Sequence, residues 1–245
     1  MTGAAKAVAP SGRLRVAINF GNAVLAQRDP ETGAARGVSV ELARELGRRL
    51  GVPVDLVTFD SAGEVFAALK RDGWDVAFLA IDPVRANEIT FSAPYVLIEG
   101  AYLVPAGSQI QTNADVDRAG VRVAVGKGSA YDLYLTRTLK AAELVRVPTS
   151  PDAIQTFVRE KLEAAAGVRQ PIVGYAREHP DVRVIPGRFM VIQQAVGIPK
   201  SHASGAAYVR AFVEEMKAGG FVAEALAAHG QTGAAVAPPA DASVV

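Results

Sequence analysis

The chain has 245 residues, half of them hydrophobic, enough to bury one large core or two modest ones. Its 26 Lys and Arg stand against 25 Asp and Glu, a formal charge of +1, and no basic cluster or aromatic platform marks a nucleic-acid surface. Cysteine is absent, which excludes disulfides and cysteine metal sites, and no apolar run approaches the roughly 20 residues that span a bilayer.

Residues 1–10, MTGAAKAVAP, lack the continuous apolar segment of a secretory signal. Either an export signal has been lost from this sequence or the protein stays in the cytoplasm. Leu14 to Ile18 reads as a first strand running into the polar turn Asn19-Phe-Gly-Asn22, where Asn19 and Asn22 are candidate ligand contacts or ordinary turn residues. Asp29 to Gly33 is a hairpin-like turn. Val38, Leu42, Leu46 and Leu50 recur every four residues and predict an amphipathic helix with Arg44, Arg48 and Arg49 outward. A second strand, Val54 to Phe59, precedes a helix from Ser61 to Lys70, and this alternation calls for a parallel, doubly wound sheet.

Trp74 to Tyr95 holds the densest signal. Val76 to Ile81 is a buried-strand run, broken at Asp82-Pro83, where Asp82 can cap a short helical turn opened by Pro83. Such sheets present ligand contacts at the carboxyl ends of their strands, which makes Ala80, Asp82 and Arg85 candidates. Arg suits a two-pronged grip on a carboxylate; the alternative is a solvated loop charge. Phe91 to Tyr95 reads as an extended segment ending in a proline bend.

Ala101 to Val104 continues as a strand, and a first crossing between lobes falls near Pro105-Ala-Gly107. Val121 to Val125 is another strand, and Gly126-Lys-Gly-Ser129 leads into a helix from Ala130 to Lys140. The spacing does not fit a phosphate loop, but a helix N-terminus suits an anion, so Ser129 and Ala130 are candidate donors or an ordinary cap. Ser150 to Glu163 is a helix with Pro151 at its start. Val182 to Ile185 and Phe189 to Gly197 are the last strands; the second carries Gln193-Gln194 where the chain would cross back, so Gln193 joins the candidates. Tyr208 to Ala218 and Phe221 to His229 are helices, followed by an Ala- and Pro-rich tail from Gly233 expected to be disordered.

The order Gly37-Val-Ser-Val-Glu-Leu-Ala, Trp74-Asp-Val, Arg85, Phe91-Ser-Ala-Pro-Tyr95 and Val123-Ala-Val-Gly-Lys-Gly-Ser129 resembles the bacterial family 3 solute-binding proteins, the periplasmic amino-acid-binding type that serves ABC importers. The resemblance covers nearly the whole chain. It implies an α/β fold of two lobes, each a sheet flanked by helices, with a ligand cleft between them. Lobe 1 would comprise residues 12–104 and 196–232, lobe 2 residues 105–195, with flexible termini at 1–11 and 233–245.

In that family an Arg at the position of Arg85 grips the ligand carboxylate, the first loop often carries an aromatic, and another aromatic follows the Asp matched by Asp60. Here Ser61 stands in that last place. The family also places an Asp, just after a strand of the second lobe, against the ligand's ammonium. Val168 stands there, with Arg169 and Gln170 beside it. An ammonium facing Val and Arg would lose its counter-charge. The expected ligand is therefore a small organic anion, a carboxylate or dicarboxylate, without a required α-amino group. The alternative for Arg169 is an ion pair with Glu163 or Asp132.

The resemblance further implies no cofactor, a monomer, importer membrane subunits as partners, and a periplasmic location if exported. His179, His202 and His229 share no metal-ligand spacing. Two rival readings are an enzyme similar to cyclohexadienyl dehydratase, with Asp82 or Asp132 as general acid, and a ligand-sensing domain.

Overall fold

The computed structural model describes residues 2–240. In chain order the elements are α1 (Gly3–Val8), β1 (Leu14–Asn19), β2 (Gln27–Arg28), β3 (Ala35–Arg36), α2 (Val38–Leu50), β4 (Val54–Phe59), α3 (Ala62–Ala68), β5 (Val76–Ala80), α4 (Pro83–Ala86) and β6 (Ile89–Pro105). They continue with β7 (Arg122–Gly126), α5 (Ala130–Thr138), β8 (Glu143–Val147), α6 (Ser150–Arg159), β9 (Ala164–Val168), α7 (Arg169–Glu178), β10 (Val182–Val184), β11 (Met190–Pro199), α8 (Ala206–Ala218), α9 (Phe221–Ala228) and β12 (Ala235–Val236). The chain forms two compact units, one of residues up to Leu97 and from Gln193 onward, the other Ile98–Ile192.

The first unit is built on the parallel strands β4, β1 and β5, with β11 antiparallel beside β5. Every residue of β5 is buried, as expected of a parallel strand covered on both faces. Trp74, fully buried, packs with Ala17, Val65, Ala77, Leu79 and Ile89, and its indole N–H donates to the Val65 carbonyl at 2.9 Å. Helix α2 buries Val38, Leu42, Leu46 and Leu50, the predicted stripe. Its Gly47 is required by close packing: a Cβ there would lie 2.1 Å from Val54 Cγ2.

The second unit orders its strands β6, β9, β7, β8, with β9, β7 and β8 parallel and β10 on the other side of β6. Its core gathers Leu103, Ala124, Phe157, Leu162, Ala165 and Ile172. Four elements have no counterpart among the strands and helices read from the sequence: β8, the helix α7 beginning at Arg169, and the two-residue strands β2 and β3, of which only the connecting turn at Asp29 to Gly33 is legible.

The unit boundaries fall earlier than the expected 104/105 and 195/196. Strand β6 runs unbroken from Ile89 to Pro105, through Pro94, so neither a bend at Pro94 nor a break at Pro105 divides the chain. Gly100 to Leu103 pair with β9 and Leu103 to Pro105 with β10, which commits them to the second unit; Gln194 to Gly197 pair with β5, which commits them to the first.

The termini also differ from expectation. Residues 3–8 are helical, capped by the Thr2 hydroxyl, and bury Ala5 and Val8. In the tail, Ala235 and Val236 pair with Leu97 and Val96, the buried Ala237 donates its N–H to the Tyr95 carbonyl at 3.0 Å, and Ala240 N–H reaches Glu214 Oε2 at 3.1 Å. Small apolar side chains there complete a strand edge that composition alone reads as disorder. Residues 241–245 of the expected disordered tail lie outside the described residues.

Candidate ligand-binding site

In the first unit, the parallel register sets Asn19 opposite Phe59 and Ala17 opposite Ala77, so β1, β4 and β5 end at one edge. Asn19 and Asn22 sit on that edge as turn formers. Asn19 Oδ1 accepts from Gly21 N–H at 2.9 Å and Asn22 Oδ1 from Val24 N–H at 3.3 Å. Gly21 lets the first loop approach the second, since a Cβ there would be 2.8 Å from the Asp60 carbonyl. Ser61 is buried and caps α3, its hydroxyl accepting from Glu64 N–H at 3.2 Å.

At the end of β5, Asp82 caps α4 through Val84 N–H at 2.8 Å, with Pro83 in the first turn, as its sequence predicts. Arg85 then points back into the unit, 1% exposed, and its Nη1 donates to the Ala80 carbonyl at 2.9 Å. Burial pulls its guanidinium down to about 10 while the Asp82 charge opposes that shift. At neutral pH the group therefore remains a buried cation at the carboxyl end of the central strand. Gln193 is exposed at the start of the first unit's part of β11, its carbonyl accepting Ile81 N–H at 2.9 Å.

In the second unit, Ser129 caps α5 by accepting from Asp132 N–H at 3.1 Å, and Ala130 follows as the first helical residue, both buried. Asp132 supplies the anion at this helix start. Its Oδ2 accepts from Gly128 N–H at 2.8 Å and its Oδ1 from Arg146 Nε at 2.9 Å. Val168 occupies the cap position of α7, where its side chain can accept nothing, and it is buried. Gln170 is partly buried, and its Oε1 meets no donor among the described residues.

Arg169 has neither of its expected partners, because Glu163 binds Arg122 and Asp132 binds Arg146. Its Nε reaches Glu99 Oε2 at 2.7 Å and its Nη2 bonds the Gly187 carbonyl, while Arg188 takes the other oxygen of Glu99 at 2.8 Å. The two guanidiniums, Arg188 foremost, hold Glu99 below the ordinary glutamate range.

The sequence marks Asp60 only as the match to the family's strand-end Asp and does not single out Phe20 or Arg28 at the first unit's edge or Glu99 in the second. Phe20 is the aromatic of the first loop, between the two Asn residues that drew attention instead. The Arg28 guanidinium lies over its ring at 4.2 Å and bonds Asp60 Oδ1 at 3.2 Å. Glu99 had no local signal, since its partner is 70 residues away.

This α/β architecture, two units each with a helix-flanked sheet, defines the class of the periplasmic binding proteins. The chain belongs to the bacterial extracellular solute-binding proteins, family 3, whose profile matches residues 14–232. It is 23% identical over 167 residues to the L-cystine-binding protein TcyJ of Escherichia coli (strain K12), covering 67% of this chain and 62% of that one. The chain thus spans less than two thirds of that relative. Among solved structures it is similar to AbpA of Streptococcus pneumoniae, an amino acid ABC transporter substrate-binding protein bound to L-arginine. There the TM-score is 0.78 at 21% identity over 91% of this chain and 97% of that chain. It is also similar to the ancestral amino acid-binding protein AncCDT-1, a precursor of cyclohexadienyl dehydratase, with a TM-score of 0.75 at 22% identity over 91% and 98%. At these identities the structural likeness shows the fold.

Proposed function

We propose that this solute-binding protein captures a small organic anion, a carboxylate or dicarboxylate without a required α-amino group, and hands it to the membrane subunits of an ABC importer. The observation that carries the reading is Arg85, a guanidinium 1% exposed yet still charged at the carboxyl end of β5. A buried cation at a strand end attracts a carboxylate more strongly than a solvated one does.

Val168 supports the second half of the reading. An apolar side chain at the cap of α7 offers an ammonium no counter-charge, and the nearby Glu99 is already held by two guanidiniums. The dicarboxylate option is the less supported one, because Arg169 already has a carboxylate partner.

Binding without turnover is the better reading of the acids. Asp82 caps α4, and Asp132 is held by Arg146 and by backbone N–H groups at the start of α5. Each carboxylate has a structural task that a proton would disturb. No helix among the described residues is long and apolar enough to cross a membrane; the family is extracellular, and release on the outer side of the inner membrane fits an importer.

A thermal-shift series with mono- and dicarboxylates and their α-amino counterparts tests the proposal. A ligand at a hundred times its Kd should add about 2.7 kcal/mol to stability. Stabilisation by amino acids together with silence from every des-amino analogue would overturn it.

A further inference from the structure

We infer that Arg28 is a built-in occupant of a cation subsite formed by Phe20 and Asp60, and that it bars ligands carrying a guanidinium or ammonium side group. The inference deepens the proposed ligand reading and rests on it only for the ligand's being a small molecule held at this edge.

Phe20 and Asp60 follow directly on β1 and β4 and are brought together by the sheet. Phe20 N–H donates to the Phe59 carbonyl at 2.9 Å, and Gly21 allows the two loops to touch. Asp60 is set by Glu64, whose Oε2 accepts its N–H at 3.1 Å. An aromatic face beside a carboxylate is a cation site, since the ring quadrupole and the acid attract the same charge. In this protein the cation is its own: Arg28 Cζ lies 4.2 Å from the ring centroid and its Nη2 is 3.2 Å from Asp60 Oδ1.

Local structure delivers Arg28 to that place. It stands on β2 opposite Ala35 of β3, in a hairpin whose turn is closed by Asp29 Oδ1 accepting from Glu31 N–H, Thr32 N–H and Thr32 Oγ1 at 2.9 to 3.1 Å. The far end is fixed at Gly37, with φ +119, where a Cβ would meet the Leu25 carbonyl at 2.4 Å. Only glycine is accommodated there. A hairpin tied at both ends presents its arginine in a set direction. The side chains of Arg28 and Asp60 are 54% and 65% exposed, so the plug can be removed without opening the core.

The test compares the wild type with Arg28→Ala and Arg28→Lys by isothermal titration calorimetry, using agmatine, 4-guanidinobutanoate and hexanoate. Arg28→Ala should bind agmatine roughly tenfold more tightly than the wild type, the combined size of one exposed cation–π contact and one exposed ion pair. Arg28→Lys, which keeps a cation over the ring, should show no such gain, and Asp60→Asn added to Arg28→Ala should remove it. Hexanoate should be indifferent to all three changes.

Agmatine has no carboxylate, so it separates the two readings. A gain for agmatine without one for 4-guanidinobutanoate leaves the plug standing and counts against the carboxylate proposal. No gain for either guanidinium compound, or an equal gain in Arg28→Lys, overturns the plug.

Discussion

Arg169 and Glu99 stand 70 residues apart in sequence and meet through an Nε to Oε2 contact of 2.7 Å, with Arg188 on the other carboxylate oxygen. One acid thus serves two guanidiniums. Glu99→Gln should release the charge on Arg169 with little cost to the fold, below about 1 kcal/mol, because all three groups are partly solvated. Dicarboxylates should then gain affinity relative to monocarboxylates, read from paired titrations of wild type and variant. An unchanged ratio would remove Arg169 from the ligand-binding set.

Arg85 is a different case, since it is buried and its charge faces Asp82. Arg85→Ala should abolish carboxylate binding, a loss on the order of 2–5 kcal/mol. It should also destabilise the protein by about 3 kcal/mol, because the buried Asp82 loses its facing cation and the Ala80 carbonyl loses a donor. Urea denaturation gives the second number and calorimetry the first. Wild-type affinity in a folded Arg85→Ala protein would sink the proposed role.

Acid stability should depend on Glu45, which bonds Arg48 and Arg49 on the outer face of α2. Those hydrogen bonds, Arg48 first, lower its carboxyl from 4.5 to about 2. A depressed folded value stabilises the protein above the unfolded one and loses that contribution as pH falls from about 4.5 toward about 2. The linkage gives at most about 3 kcal/mol, less after screening by solvent. Chemical denaturation at pH 6 and pH 3 should therefore show a smaller acid loss for Glu45→Gln than for the wild type. Parallel curves for the two proteins would deny Glu45 this role.

Legibility in the sequence followed locality. The α2 stripe, the buried run of β5 and the Asp82-Pro83 cap are each encoded within a few residues, and the structure shows all three. Long-range pairing was hidden. Nothing near Pro105 announces that Leu103 pairs with both β9 and β10, so the unit boundary was set too late. The tail was misread for the same reason, as its order depends on backbone bonds to residues 95–97. At the candidate site, the turn role of Asn19 and the cap role of Ser129 are visible in the sequence as alternatives, whereas the cap role of Ser61 comes only from the structure. The Phe20–Arg28–Asp60 cluster was not, because a hairpin must fold before Arg28 reaches its ring.

Val168 offers the most direct test of ligand class. It holds the cap of α7, a position that Asp fills well, yet it is only 8% exposed, so a carboxylate there gains a cap and loses hydration. The two effects are each about 1–2 kcal/mol and opposite in sign, so Val168→Asp should fold with nearly unchanged stability. What should change is selectivity. With a carboxylate at this position, an α-ammonium has a counter-charge, and the preference for an amino acid over its des-amino analogue should rise at least about tenfold, the effect of one partly desolvated ion pair. Glutamate against glutarate, and norvaline against pentanoate, are suitable pairs, because each differs only in the amino group. The wild type should favour glutarate and pentanoate, and the variant should reverse or erase that order. If the wild type already prefers the amino acids, the ammonium is met by some other acid of this chain, and the role assigned to Val168 fails.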